Sequence, residues 1–168
     1  MIPEVLLVDL EPFTHAQRMR RMVELGQRLA RGQELDLIPL ISGLERHESA
    51  YARMLALQSC MGSHDGAHVL RALADPSRTL RSRAACVVPH ACNDAEAEIA
   101  LGLVSGRRVR ARLVASLVRR GRGGVVDAFL EARIAGKSRP DAHAADLLVA
   151  DQPGARRIDE LLRSRETA

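Results

Sequence analysis

The chain has 168 residues, about the length of one domain, with 46% hydrophobic and 27% charged residues and a formal net charge of +4. This balance supports a buried core and excludes a disordered chain of low hydrophobicity. No apolar run reaches the roughly 18 residues of a membrane-spanning helix, and at 2% aromatic content the chain lacks the residues that sandwiches and barrels lean on.

The opening stretch, MIPEVLLVDLEPF, carries no basic flank, and Asp9 cuts its apolar run, so no signal peptide is expected. Residues 13–31 read as an amphipathic helix. Residues 34–45 (ELDLIPLISGLE) read as the first helix of a pair, and Ala52-Arg53, Ala56 and Cys60 as one face of the second. The pattern then recurs. Residues 65–74 lead through Asp75-Pro76-Ser77 into a helix bearing Leu80-Arg81, Ala84-Ala85 and Val87-Val88. Residues 94–104 lead into Val109-Arg110, Leu113 and Leu117, and residues 123–135 into Pro140-Asp141, Ala144 and Leu148. Short polar or glycine-bearing links, such as His64-Asp65-Gly66, Asn93-Asp94 and Gly121 to Gly124, punctuate the helices. A last helix is expected over 153–164, opened by Pro153.

The positions of Arg53, Arg81, Arg110 and Asp141 are separated by 28, 29 and 31 residues. A repeat of this length, with each pair too small to bury its own apolar face, predicts stacked helix pairs. Ala56, Ala84, Leu113 and Ala144 share one repeat position and are expected in the core. The frame resembles HEAT repeats, in particular the short variety, about 30 residues long, of the phycobilin-lyase-like group in the armadillo-type superfamily. The likeness covers about residues 34–150 and is most specific at Asp75-Pro76, Leu80-Arg81 and Ala84-Ala85; Pro39 falls where HEAT first helices often carry proline. It implies an all-α, right-handed α-solenoid forming one domain over 1–168, with four repeats between the helices at 13–31 and 153–164. The sequence departs from the pattern at the turn aspartate, which is His47 in the first copy and Ser105-Gly106 in the third, and at Asp141, where the motif has arginine. No continuous Asp–Arg ladder is therefore expected.

Chemistry-bearing residues are sparse. Cys60, Cys86 and Cys92 are odd in number, which predicts free thiols and a reducing, cytoplasmic setting. Neither Cys60/His64/His68 nor Cys86/His90/Cys92 has the spacing of a zinc clasp, and no metal or other cofactor is expected. Gly121-Arg122-Gly123-Gly124 lacks the Lys-Ser/Thr ending of a phosphate loop, and Ser59, Ser63, Ser82 and Ser116 lack the context of a nucleophile. Glu45 and Glu48 read as solvated helix-end charges rather than a catalytic pair. The superfamily's enzymatic precedents are phycobilin lyases and a DNA glycosylase, and the latter needs aromatics that are scarce here. The expectation is a protein that is not an enzyme.

Charge is more informative. Residues 1–100 carry a net charge of −2 and residues 101–168 one of +6, and no acid lies between Glu98 and Asp127, where seven arginines occur. By repeat position, Arg108 aligns with Thr79 and Arg139, and Arg112 with Arg83 and His143; Tyr51 and Leu55 occupy the same columns in the first copy. Second helices line the concave face of HEAT arrays, so the resemblance places Arg83, Arg108, Arg112, Arg139, His143 and Tyr51 on a partner-binding strip. A solenoid offers a long surface and no evident chemistry, which favours a protein partner. The basic strip and a pI of about 9.6 make nucleic-acid backbone the alternative.

Overall fold

The computed structural model describes residues 3–104 and 106–134, and among these it holds nine α-helices and no strand. In chain order they are α1 (Pro3–Leu10), α2 (His15–Ala30), α3 (Ile38–Glu45, preceded by a 3₁₀ turn at Leu35–Leu37), α4 (Ala50–Ser63), α5 (Gly66–Ala72), α6 (Arg78–Ala91), α7 (Asp94–Leu103), α8 (Arg107–Arg119) and α9 (Gly123–Ile134). Every helix expected between 13 and 134 is present. Helix α1 was not expected. The second helix of the fourth copy, with Asp141, Ala144 and Leu148, and the helix expected over 153–164 lie outside the described residues.

Local signals set the helix starts. Thr14 and Gln17 form a capping box at α2, and Asn93 and Glu96 form another at α7, each satisfying two otherwise orphaned amides. The Ser77 hydroxyl accepts from the Leu80 N–H at α6, and the Asp65 carboxylate accepts from the His68 N–H at α5. Gly32, Gly106 and Gly121 take positive φ between helices, as their lack of a Cβ permits.

Packing follows the repeat. Helices α2, α4, α6 and α8 pack side by side in that order, while α1 packs on α3, α5 on α7 and α7 on α9. Each α3–α4, α5–α6 and α7–α8 pair also packs internally. The shared repeat position holds: Ala56, Ala84 and Leu113 are each 0% exposed. One core cluster joins Leu57, Val88, Leu101 and Leu113 across α4 to α9, and a second joins Leu10, Met22, Leu44 and Leu55 around α2.

Helix α2 packs against α4, and α1 is set against α3. The approach of α2 to α4 is close. A Cβ on Gly26 would lie 1.9 Å from the Ser59 carbonyl oxygen, and one on Gly62 would lie 2.2 Å from that of Val23. The two glycines are therefore required for this contact, whereas Gly62 in the sequence reads only as an interruption of a helix face.

The motif arginines act at the turns. Arg53 donates from Nη1 to the carbonyls of His47 and Glu48, both at 2.7 Å, and Arg81 donates to those of Asp75 and Pro76 at 2.6 and 2.9 Å. Each thus ties its helix to the turn that opens it. Arg53 also reaches Asp75 of the next turn, Nε to Oδ2 at 2.7 Å and Nη2 to Oδ1 at 3.0 Å. Burial pushes the Asp75 carboxyl up, but hydrogen bonds from Arg53 and the Ser77 N–H, with the charges of Arg53 and Arg81, outweigh it and hold the group below the usual carboxylate range.

Candidate functional site

On a helix, residues four apart share a face. Arg78, Ser82 and Cys86 share one on α6, with Thr79 and Arg83 beside it, and Arg108 and Arg112 share one on α8. Because α6 packs directly on α8, these faces meet in a groove of about 590 Å³ lined by Arg78, Thr79, Ser82, Arg83, Cys86, Arg108, Val109 and Arg112, with Met54 of α4 at its edge. The groove brings together Arg83, Arg108 and Arg112 as the repeat alignment predicts and adds Arg78, which that alignment passed over. Among the described residues no carboxylate lines it.

Two of the four guanidinium groups are anchored from within. Arg112 donates from Nη1 to the Ser82 hydroxyl at 2.7 Å, and Arg83 donates from Nη2 to Gln58 Oε1 at 2.5 Å, where Gln58 is itself buried in α4. Arg78 and Arg108 are exposed and hydrogen-bond to nothing among the described residues. Fixed guanidinium forks beside unengaged ones suit carboxylate or phosphate oxygens, each of which accepts two parallel N–H bonds. Met54, Val109 and Cys86 add apolar surface to the same groove.

The groove continues along the α6–α8 seam. Cys86 also borders a second hollow of about 300 Å³, lined with Pro89, His90, Ser116, Arg119 and Arg120. Arg120 Nη2 lies 3.0 Å from the His90 ring nitrogens. Burial, with the charges of Arg120 and Arg83, lowers the His90 pKa.

The other expected site residues fall elsewhere. Arg139 and His143 lie outside the described residues. Tyr51 is half-buried against the α2 cluster, with its hydroxyl 3.4 Å from His15 Nδ1. Leu55, expected on the same surface, is 0% exposed. The reason is α2, which packs over α4 and covers the face that would have extended the strip into the first repeat. Glu48 is exposed as expected. Glu45 is not a solvated charge: it is half-buried, its Oε1 accepts from Arg71 Nε at 2.7 Å, and its Oε2 lies 3.8 Å from His68 Nδ1. Burial pushes its carboxyl up, but Arg71 and His68 hold it below its usual range.

Of the cysteine–histidine groups, Cys60 and His68 come together, whereas His64 turns its Nδ1 to the His90 carbonyl at 3.0 Å. Cys86, His90 and Cys92 do not converge among the described residues. The aromatics are engaged elsewhere: Phe13 lies 3.7 Å under the Arg21 guanidinium and Phe129 is buried. No helix among the described residues is long and apolar enough to cross a membrane. Scans against protein-family models, curated proteins and solved structures find no match to the chain.

Proposed function

We propose that the chain is a HEAT-like α-solenoid scaffold, not an enzyme, that binds an acidic segment of another protein in the groove between α6 and α8. The observation that carries this reading is the set Arg78, Arg83, Arg108 and Arg112 around one groove, with no acid in its lining among the described residues. Guanidinium groups so arranged raise the local concentration of anions and speed their association. The ordered packing of α2, α4, α6 and α8 supports the solenoid reading, since stacked pairs present one continuous surface. Protein is favoured over nucleic acid by the apolar contribution of Met54 and Val109 and by the absence of any aromatic from the groove among the described residues, which leaves no platform there for base stacking.

The test uses two fluorescent probes, a peptide of alternating Glu and Leu and a DNA duplex, titrated at about 50 mM salt against the wild type and a variant with Arg108→Ala and Arg112→Ala. Neither arginine is buried, so the double variant keeps its fold by circular dichroism. The peptide binds the wild type, and the double variant loses at least about tenfold in affinity, the scale of one to two charge-assisted hydrogen bonds. Equal peptide binding by both proteins overturns the groove assignment. Tighter duplex binding, with log affinity falling steeply in log salt, overturns the choice of protein partner in favour of nucleic-acid backbone.

A further inference from the structure

We propose that Cys60, Asp65 and His68, at the turn between α4 and α5, form a zinc-type metal site. Cys60 lies in the last turn of α4, Asp65 caps α5, and His68 stands in the first turn of α5. His64 sits between them with φ of 58°, a left-handed residue that reverses the chain and turns α5 back toward the end of α4. The thiol, the carboxylate and the imidazole consequently face one another, with their ligand atoms all within 4.8 Å of each other.

Three atoms at that spacing lie no further than about 2.8 Å from a common centre, against zinc bonds of about 2.0–2.3 Å to nitrogen, oxygen and sulfur. A shift of about 0.5–0.8 Å per side chain closes the site. A mixed thiol, imidazole and carboxylate set suits zinc, whereas magnesium and calcium take oxygen alone. Among the described residues the imidazole makes no hydrogen bond from its ring, only a longer contact with Glu45. His68 is 4% exposed, yet neither ring nitrogen has a hydrogen-bond partner among the described residues, and the closest acceptor, Glu45 Oε2, stands off at 3.8 Å. Cys60, 1% exposed, meets only the Ala56 carbonyl at 3.8 Å. The imidazole borders the hollow beside Glu45 and Asp65, so a metal ion can reach it without breaking a hydrogen bond of the ring.

The surroundings complete the coordination. Glu45, held by Arg71, stands 3.8 Å from His68 Nδ1 but outside the three-ligand group, which leaves the fourth zinc position to water. A hollow of about 270 Å³ bordered by Glu45, Ser59, Ser63, Asp65 and His68 gives an entry path. The site shares no residue with the arginine groove and stands or falls independently of it.

The probe is cobalt(II), titrated into the purified full-length chain under reducing conditions, with no polyhistidine tag. The expected result is one equivalent bound in a tetrahedral spectrum with a thiolate-to-cobalt charge-transfer band, displaced by zinc. Cys60→Ala abolishes the band, and Cys86→Ser leaves it unchanged. Asp65→Asn retains the N-cap, since Asn and Asp cap equally well, and weakens binding at least tenfold; it keeps the proposal falsifiable should Cys60→Ala fail to fold. No band at micromolar cobalt overturns the site, as does a band that survives Cys60→Ala or undiminished affinity in Asp65→Asn.

Discussion

Arg53 and Asp75 form a two-point ion pair, at 2.7 and 3.0 Å, that joins α4 to the turn that opens α6. Both side chains are largely buried, at 15% and 10% exposure, so the pair is shielded from the screening that weakens surface pairs. The carboxylate also accepts from the Ser77 N–H at 2.7 Å, and so organises the start of α6 at the same time.

Replacing Asp75 therefore acts on two elements at once. Asp75→Ala leaves the Arg53 charge with only its two carbonyl acceptors and is expected to cost about 2–3 kcal/mol, toward the lower end for breaking a buried pair. The denaturation midpoint in urea at pH 7 measures it. The pH dependence has a definite sign. The folded-state pKa of Asp75 lies below its unfolded value, so its contribution is fully present above about pH 4 and is lost as pH falls through the lowered folded-state value. The stability gap between wild type and Asp75→Asn should thus narrow on acidification below about pH 4 and be constant above it. A gap that widens on acidification would contradict the assignment.

The α2–α4 contact makes a sharper steric prediction. In an exposed helix Ala is better than Gly by about 1 kcal/mol, but a Cβ at Gly62 meets Val23 O at 2.2 Å and Gln27 N at 2.6 Å, both of them backbone. Gly62→Ala must push α2 away from α4 and is expected to cost about 1–3 kcal/mol net. Gly124, near the start of α9, has nothing among the described residues within 4 Å of its would-be Cβ. Gly124→Ala should be neutral or stabilising by about half a kcal/mol. Paired thermal melts of the two variants should therefore shift in opposite directions or differ by several degrees.

The repeat register is tested at its centre. Ala84 is 0% exposed, between α4 and α8 in the order of packing, and Val88 is equally buried one turn further on. Ala84→Leu adds three carbons where none fit and should cost about 1–3 kcal/mol. Val88→Ala leaves a cavity and should cost a similar amount. An unchanged denaturation midpoint in Ala84→Leu would place that residue outside the core.

The register was legible in the sequence because small and apolar residues recur at i, i+4 and i+8 in successive copies, and burial enforces that spacing directly. The arginine groove was partly legible for the same reason: Arg83, Arg108 and Arg112 hold fixed offsets from the motif arginines. Arg78 was missed because the alignment followed Thr79, one residue away, although Arg78 is the residue that stands four before Ser82. Helix α1 was missed because VLLV gives a block of apolar residues rather than a helical period. The covering of Leu55 depends on which helix precedes the first repeat in space, and no local pattern reports that. Cys60 and His68 stand eight apart in sequence, and what brings them together is the left-handed turn at His64, a conformation uncommon for any residue but glycine.

The last prediction concerns the length of the groove's occupant. From Arg108 to Arg120 the α8 face advances twelve residues, or about 18 Å at 1.5 Å per residue. An extended peptide covers that distance in about six residues at roughly 3.3 Å each. Arg78, Arg83, Arg108 and Arg112 line the first part of the seam, and Arg119 and Arg120 the second, with Cys86 between them. Affinity for acidic peptides should therefore rise with length up to about six residues and then level off, because further residues pass beyond the guanidinium groups. Arg119→Ala combined with Arg120→Ala should weaken a six-residue peptide and leave a three-residue one unchanged, whereas Arg108→Ala with Arg112→Ala should weaken both. A length series measured by fluorescence anisotropy gives both slopes. Affinity that keeps climbing well past six residues would mean that the peptide lies across the helices rather than along the α6–α8 seam.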